Sequence, residues 1–535
     1  MKFNLLEKKI KGADGSKLAT DIFLPEGDQF PVLLAMTPYG KHQFRAWGEL
    51  LGEYGYAAAF QDVRGRFESE GEFDPIKQEK LDGPVTVRWL EKQPWFSVEK
   101  GIGILGISYL AQVGFSLAAR SSKVKAMVNV GGLADFYDIS HRGGATVIHH
   151  ALPWTVITGY SKKQPDLKKG NWDRAFRCSN LEKADEEAGF PNSLWKRWSR
   201  HKLKDEYWAE WSVWSDLEKV DIPILHLTGW YDICLRSTLD LFEYFQERSS
   251  YPQQLFIGPW SHNGVIKNVQ RLWGVDFGPE SRSDFLKKAP EWFDIHLKGQ
   301  SSGKKEEKAV NIFVTGTDKW YRTEKWPLEE GKEINFFLGE EKLSSYPETE
   351  GAKKFIFDPQ NPVPTLGGTI WEFPQVNLEP GPADQYPISG RSDVLCFETP
   401  PLQEDLTLIG PVECTLFGSI DGESGDWVVR VVDVSPEGKR SWIADGNLRA
   451  HFRSGPHKES PVKPGEINEY RIDLWAIGHT FKKSHRLGLE ISGSSFPKWD
   501  LNRHGLREGE VRRQKVFWGA NYPSRLKTYS VSGRE

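Results

Sequence analysis

From Phe30 to Gly258 the chain keeps returning to one pattern, a short apolar run followed by a stretch that reads as helix. The runs are FPVLLAM (Phe30–Met36), YAAAFQ (Tyr56–Gln61), Gly101–Leu105, AMVNV (Ala126–Val130), IPILHLT (Ile222–Thr228) and QLFIG (Gln254–Gly258). Between and after them, Glu79–Glu91 reads as a helix in spite of Pro84, and Ser283–Lys298 as another. Short apolar runs separated by helices predict a parallel sheet covered on both faces, an α/β fold.

Two changes of texture divide the chain. From about Ala134 to Val220 there is no clear strand; the stretch is rich in Lys, Arg and Glu and carries Trp154, Trp172, Trp195, Trp198, Trp208, Trp211 and Trp214. We read it as a mainly helical insertion. Gln300–Lys308 (QSSGKKEEK) is polar and reads as a linker. Beyond it come INFFLG, KKFIFDP, DWVVRVVDV, EYRIDLW and LGLEISG, bounded by Gly, Pro, Asn and Asp, which predict a β sandwich or jelly roll. The expected division is an α/β domain from 1–133 and 219–310, a helical cap over 134–218 and a β domain over 311–535. No repeat at a solenoid period interrupts it.

A net charge of −4 leaves no electrostatic footprint for nucleic acid or an anionic membrane surface. No apolar run is long enough to span a bilayer, and MKFNLLEKKIKGADG lacks the apolar centre of a signal peptide, so cytoplasmic residence is expected. The four cysteines form no C-x-x-C pair, which argues against a disulfide framework or zinc ribbon.

Ligand sites in parallel sheets lie beyond the carboxyl ends of the strands. Ser108 follows one strand, in GILGISYLAQVGF, at a sharp turn into a helix whose Ala111, Gly114 and Ala118 form one small face. The generic elbow G-x-S-x-G asks for glycine where Leu110 stands. Asp232 follows a later strand in TGWYDICLR, and His262 follows the next in LFIGPWSHNG. Taken singly, these are a serine in a tight connection, a helix-capping aspartate and a loop histidine. Taken together, Ser, then Asp, then His after successive strands is the chain order of an α/β-hydrolase triad. An oxyanion would need donors: the Tyr109 amide beside the nucleophile, and a group from the loop MTPYGKH, where Tyr39 offers a phenol.

The segments TPYGKH, QDVRGRFESEGEF, LDGPVTVRWLEKQPW, GISYL, TGWYD and GPWSH, with NPVPTLGG, GRSDVL, DVSPEGKR, SHRLGLEISGSSFPKWDLN and NYPSRL, resemble the CocE/NonD hydrolase family over nearly the whole chain. That family includes cocaine esterase, X-Pro dipeptidyl-peptidases and cephalosporin acylases. The resemblance implies an α/β-hydrolase domain with an inserted helical cap and a C-terminal jelly roll. It implies Ser108, Asp232 and His262 as the triad, with Tyr39 and the Tyr109 amide as the oxyanion hole. The family's serine turn is G-x-S-Y-x-G, so Leu110 fits it; the departure is Ala111, where the family usually has glycine.

Other features carry less. Asp62 also follows a strand, but Asp62, Arg64, Arg66 and Glu68 read as a salt-linked structural loop. His141, His149 and His150 lack the spacing H-E-x-x-H, and DGESGD (Asp421–Asp426) lacks the closing acid of a calcium loop; no metal or cofactor is expected. Trp154 and Trp172 are the cap residues expected to line a substrate pocket. The expected function is hydrolysis of a small-molecule carboxylic ester through an acyl-enzyme. The alternatives are an amide hydrolase of X-Pro peptidase or β-lactam acylase type, and a binding protein on an inactive scaffold. A homo-oligomer is left open.

Overall fold

The apolar runs extend as strands because both faces of each are covered. In the computed structural model, which describes residues 3–301 and 308–531, a ten-stranded sheet forms the first domain. Its strands are β1 (Asn4–Lys11), β2 (Lys17–Leu24), β3 (Val32–Thr37), β4 (Ala57–Asp62), β5 (Ile102–Ile107), β6 (Val124–Val130), β7 (Ile224–Tyr231), β8 (Gln253–Ser261), β9 (Val310–Val314) and β10 (Lys319–Thr323). Their spatial order is β1-β2-β4-β3-β5-β6-β7-β8-β9-β10. Pairing is parallel from β4 across to β9 and antiparallel at both margins. β3, β4 and β7 are buried at every position. The hairpin β9–β10 completes this sheet although it follows residue 310, because Leu255–Ile257 of β8 pairs in parallel with Val310–Ile312. Residues 302–307 of the expected linker lie outside the described residues.

Helices α1 (Arg45–Glu53), α2 (Glu79–Glu91) and α3 (Tyr109–Ala118) connect the early strands. Within the cap, α4 (Ile148–Gly159) is the longest helix. After it come α5 (Leu235–Arg248), α6 (His262–Lys267) and α7 (Phe285–Lys298). α3 lies close against its strand: a Cβ on Gly106 would stand 2.7 Å from Ala111 Cα, so only glycine fits there.

The cap enters between β6 and β7 as short helices around an aromatic core. Trp154 and Trp198 stack with centroids 5.3 Å apart, and Phe136 packs against Trp154, Trp198 and Trp211. The C-terminal part is a jelly-roll sandwich of a seven-stranded and a four-stranded sheet, both antiparallel. Its core holds Leu416, Trp427, Val429, Val431, Ile472, Leu489 and Ile491.

The sandwich is joined to the cap by polar contacts in a buried seam. Thr146 N donates to Asp500 Oδ1 (2.6 Å), and Arg449 N to the Gly143 carbonyl (2.7 Å). On the sandwich side of the seam the ion pairs are internal: the Arg449 guanidinium bridges Asp426 (2.9 Å) and Asp500 (3.1 Å). Lys498 Nζ is paired with Asp445 at 2.6 Å, both almost wholly buried. Ile370, Phe373, Leu378, Val428, Phe496 and Trp499 of the sandwich belong to the same apolar cluster as the core of the first domain and cap.

Candidate active site

Ser108 sits where β5 ends and α3 begins, with φ 55° and ψ −121°. A side chain in this left-handed region costs on the order of 1–3 kcal/mol and persists only where the surroundings hold it. Here Ser108 N donates to the Val130 carbonyl (2.8 Å), and the Ser108 carbonyl accepts from Ala111 N (3.0 Å). The turn lifts the half-buried hydroxyl off the sheet at the positive end of α3.

Asp232 follows β7 and is wholly buried. Its Oδ1 accepts from Cys234 N and from His262 Nδ1, both at 2.8 Å, and Oδ2 accepts from Thr228 Oγ1 at 3.2 Å. A carboxylate only accepts, so in its neutral form His262 carries its proton on Nδ1 and has a basic lone pair on Nε2. Burial disfavours the imidazolium; the Asp232 carboxylate and the Cys234 sulfur beside the ring outweigh it and hold the pKa of His262 well above its ordinary value. Gly131, which follows β6, connects this pair to the serine. A Cβ on it would lie 3.0 Å from His262 Cε1 and Nδ1 and 2.8 Å from Asp232 Oδ2, and its φ is 51°. Ser108 is bonded to the residue before it. The ends of β5 through β8 thus gather hydroxyl, imidazole and carboxylate at one edge of the sheet.

Asp232, Cys234 and His262 present oxygen, sulfur and nitrogen atoms within 4.8 Å of one another. The 2.8 Å contact of Nδ1 with Oδ1 is that of a hydrogen bond, whose proton on Nδ1 occupies the lone pair a metal would need, so the set fits an orienting pair better than a metal centre.

The two groups expected as oxyanion donors are the Tyr109 amide, next in the chain to the serine, and the hydroxyl of Tyr39, whose ring packs against that of Tyr109. Among the described residues no hydrogen bond engages the Tyr109 amide, the first of α3. Tyr39 follows β3, and its hydroxyl oxygen accepts from Trp154 Nε1 at 3.0 Å. The indole can only donate, so the phenol proton is left for another acceptor. Burial pushes the Tyr39 pKa up to about 12, with the Trp154 bond acting the other way, which keeps that proton in place. The ring stands edge-on to Tyr109, 6.4 Å away. The buried Arg66 fastens this loop to the cap: it donates to the carbonyls of Pro38 (3.0 Å), Ile157 (2.8 Å) and Thr158 (2.7 Å), and to that of Ser161. Within the loop expected to be salt-linked, Arg64 does pair with Asp82 and Asp14, and Asp62 caps the amides of Lys41 and Glu68. Arg66 differs, spending its donors on carbonyls.

Trp154 is 5% exposed and Trp172 only 2%. Trp172 donates to the Leu167 carbonyl (2.8 Å), stacks on Phe190 and stands edge-on to Phe373. His141 stacks on Tyr137, and burial lowers its pKa to about 4. His149 lies between the Lys498 carbonyl and the Trp371 amide. In the Asp421–Asp426 loop, Asp426 is held by Arg449 and Asn502, and Asp421 by the Arg513 amide. Two residues at the site were not singled out from sequence. Cys234 is only two positions past Asp232, so the turn that places the acid also places the thiol. Glu372 belongs to the distant sandwich and accepts from Ser261 and Asn263, the neighbours of His262; nothing local in IWEFPQ marks it.

Two family models match the sequence: X-Pro dipeptidyl-peptidase (S15 family) over residues 14–264, and X-Pro dipeptidyl-peptidase C-terminal non-catalytic domain over residues 302–527. Cocaine esterase of Rhodococcus sp. (strain MB1 Bresler) is 30% identical, the alignment covering 96% of this chain and 96% of that one. A putative serine esterase of Mycobacterium bovis is 24% identical over 96% of this chain and 93% of its own. Among solved structures, an aminopeptidase from a marine sediment Thaumarchaeota archaeon superposes with a TM-score of 0.86 at 23% identity, covering 99% of this chain and 97% of that one. An α-amino acid ester hydrolase does so with 0.84 at 22% identity, with the same coverage.

Proposed function

The chain belongs to the CocE/NonD family of serine hydrolases, and from that membership we propose that Ser108 is the nucleophile, His262 the general base and Asp232 the orienting acid of carboxylic-ester hydrolysis. The observation that carries these roles is the 2.8 Å bond from His262 Nδ1 to the buried Asp232, packed through Gly131 against the strand that holds Ser108.

His262 Nε2 takes the Ser108 proton as Oγ adds to the ester carbonyl. Asp232 keeps the tautomer and stabilises the imidazolium. The Tyr109 amide and the Tyr39 hydroxyl donate to the tetrahedral oxyanion. The alcohol leaves with the proton from His262, and water, deprotonated by the same nitrogen, releases the acid and restores Ser108. The substrate class is a small ester. An amide is the second reading, favoured by the match of residues 14–264 to a peptidase family; relative turnover of p-nitrophenyl acetate and an Ala-Pro anilide separates the two. Trp154 serves this reading by holding the Tyr39 hydroxyl, and Trp172 by holding the cap together. Among the described residues no helix is long and apolar enough to cross a membrane. With all four cysteines free, we read the enzyme as cytoplasmic.

The test is labelling with a fluorophosphonate together with p-nitrophenyl acetate turnover. The parent is expected to be labelled at Ser108 and to turn over, and Ser108→Ala to lose both. Unchanged turnover in Ser108→Ala, or labelling at another residue, would refute the assignment.

A further inference from the structure

We propose that the C-terminal sandwich takes part in catalysis through Glu372, a positioning residue that braces the loop carrying His262. The proposal rests on the reading of His262 as general base, and it gives a role in the reaction to a region whose family model is described as non-catalytic.

His262 is the first residue of α6, a helix of six residues. A helix this short does not hold its own geometry in water. The strand before it shifts register between Gly258 and Ser261, a bulge that re-aims the chain just ahead of the imidazole. Something must fix the direction so obtained. Ser261 caps the helix: its Oγ accepts from Gly264 N at 3.1 Å. The same Oγ donates to Glu372 Oε1 at 2.5 Å, and Asn263 Nδ2 donates to Glu372 Oε2. One carboxylate therefore grips the residues on both sides of His262, and both bonds are charge-assisted.

The carboxylate is itself held. Gly368 and Gly381 pair through two backbone bonds, 2.7 and 3.1 Å, and Phe373 pairs with Leu378, closing 368–381 into a narrow hairpin that leaves the sandwich. Trp371 N donates to His149 Nε2 of the cap at 3.1 Å. Phe373 meets Trp172 edge-on at 5.0 Å. Trp273, just past the histidine loop, donates to the Glu379 carbonyl at 3.0 Å. The residues on either side of Glu372 are thus pinned to the cap, and the hairpin's far arm to the histidine segment. Among the described residues no cation forms an ion pair with Glu372, so the acceptor strength of the carboxylate is directed at Ser261 and Asn263. Glu372 acts on the ring only through its neighbours, by limiting how far Nε2 can wander from Ser108.

The full-length enzyme is compared with Glu372→Ala and Glu372→Gln, with Ser108→Ala as reference. Glu372→Ala is expected to lower kcat for p-nitrophenyl acetate by about 10- to 100-fold, the usual cost of a small misplacement of a reacting group. KM should move less than about threefold, because the brace does not touch substrate, and fluorophosphonate labelling of Ser108 should slow by the same factor as kcat. Glu372→Gln keeps an acceptor for Ser261 and is expected to recover most of the loss. Thermal melts establish that each variant is folded at the assay temperature, and Glu372→Gln keeps the test open if the alanine variant is not. A kcat for Glu372→Ala within twofold of the parent, a loss carried by KM, or a glutamine variant no better than alanine would overturn the brace. Those outcomes leave the triad standing as long as Ser108→Ala is inactive; an active Ser108→Ala would bring down the underlying reading instead.

Discussion

Trp154→Phe keeps an aromatic ring in the stack with Trp198 but removes the single N–H that reaches Tyr39. In the parent the phenol oxygen accepts from the indole at 3.0 Å, so its proton is held in a direction other than the tryptophan. Without that bond the hydroxyl can turn towards the vacated side. One neutral hydrogen bond is worth about 0.5–1.5 kcal/mol net, and about 1.4 kcal/mol is a factor of ten in rate. The acylation rate should therefore fall by about 2- to 12-fold. Tyr39→Phe deletes the donor itself and should cost about 100- to 1,000-fold, as for a lost oxyanion-hole donor. The two effects should not add: if Trp154 acts through the phenol, Trp154→Phe has nothing further to remove once Tyr39 is phenylalanine. Single-turnover acylation by p-nitrophenyl acetate, run on the parent, both single variants and the double variant, measures this directly. Circular dichroism at the assay temperature checks that all four are folded. If Trp154→Phe slows the Tyr39→Phe enzyme by the same factor as the parent, the indole works on substrate or through packing, and the reasoning fails.

The Asp232 carboxylate raises the proton affinity of His262 against the effect of burial. Asp232→Asn should thus move the acid limb of the kcat/KM profile to lower pH while reducing the plateau by about 10⁴-fold; a limb that stays put or moves up contradicts this. Glu79 is wholly buried behind the serine turn, and burial pushes its pKa up to about 7, with the Tyr109 hydroxyl bonded to it at 2.8 Å. The folded state therefore holds this proton more tightly than the unfolded chain does. Stability should fall as pH rises from about 4.5 to about 7, where the carboxyl ionises in place. Glu79→Gln should flatten that slope in denaturant melts taken across the interval.

The strand ends that carry the proposed triad were legible because their signals are local. Apolar runs of fixed length give the strands, and a serine, an aspartate and a histidine each come within a few residues of one. Helix Glu79–Glu91 was legible in spite of Pro84 for the same reason. The parts that escaped depend on docking between distant segments. Trp154 and Tyr39 are 115 residues apart, and Glu372 lies 111 positions from Ser261, so no spacing rule links them. The edge hairpin β1–β2 was obscured by its lysines and by Asp21, which is buried only because Lys41 arrives to pair with it at 2.7 Å. Membership of β9 and β10 in the first sheet was hidden because a strand's composition does not say which neighbour it pairs with.

The seam between cap and sandwich bears on how such an enzyme can be re-engineered. Lys498 with Asp445, and Arg449 with its two aspartates, are ions withdrawn from water whose partners must arrive with them. Those partners all lie in the sandwich and would stay paired under a cap grafted from a relative, but the new cap would still have to supply the backbone groups that Thr146 N and the Gly143 carbonyl offer to Asp500 and Arg449 N. New substrate preferences are better sought by exchanging the cap and the opposing sandwich loops as one cassette.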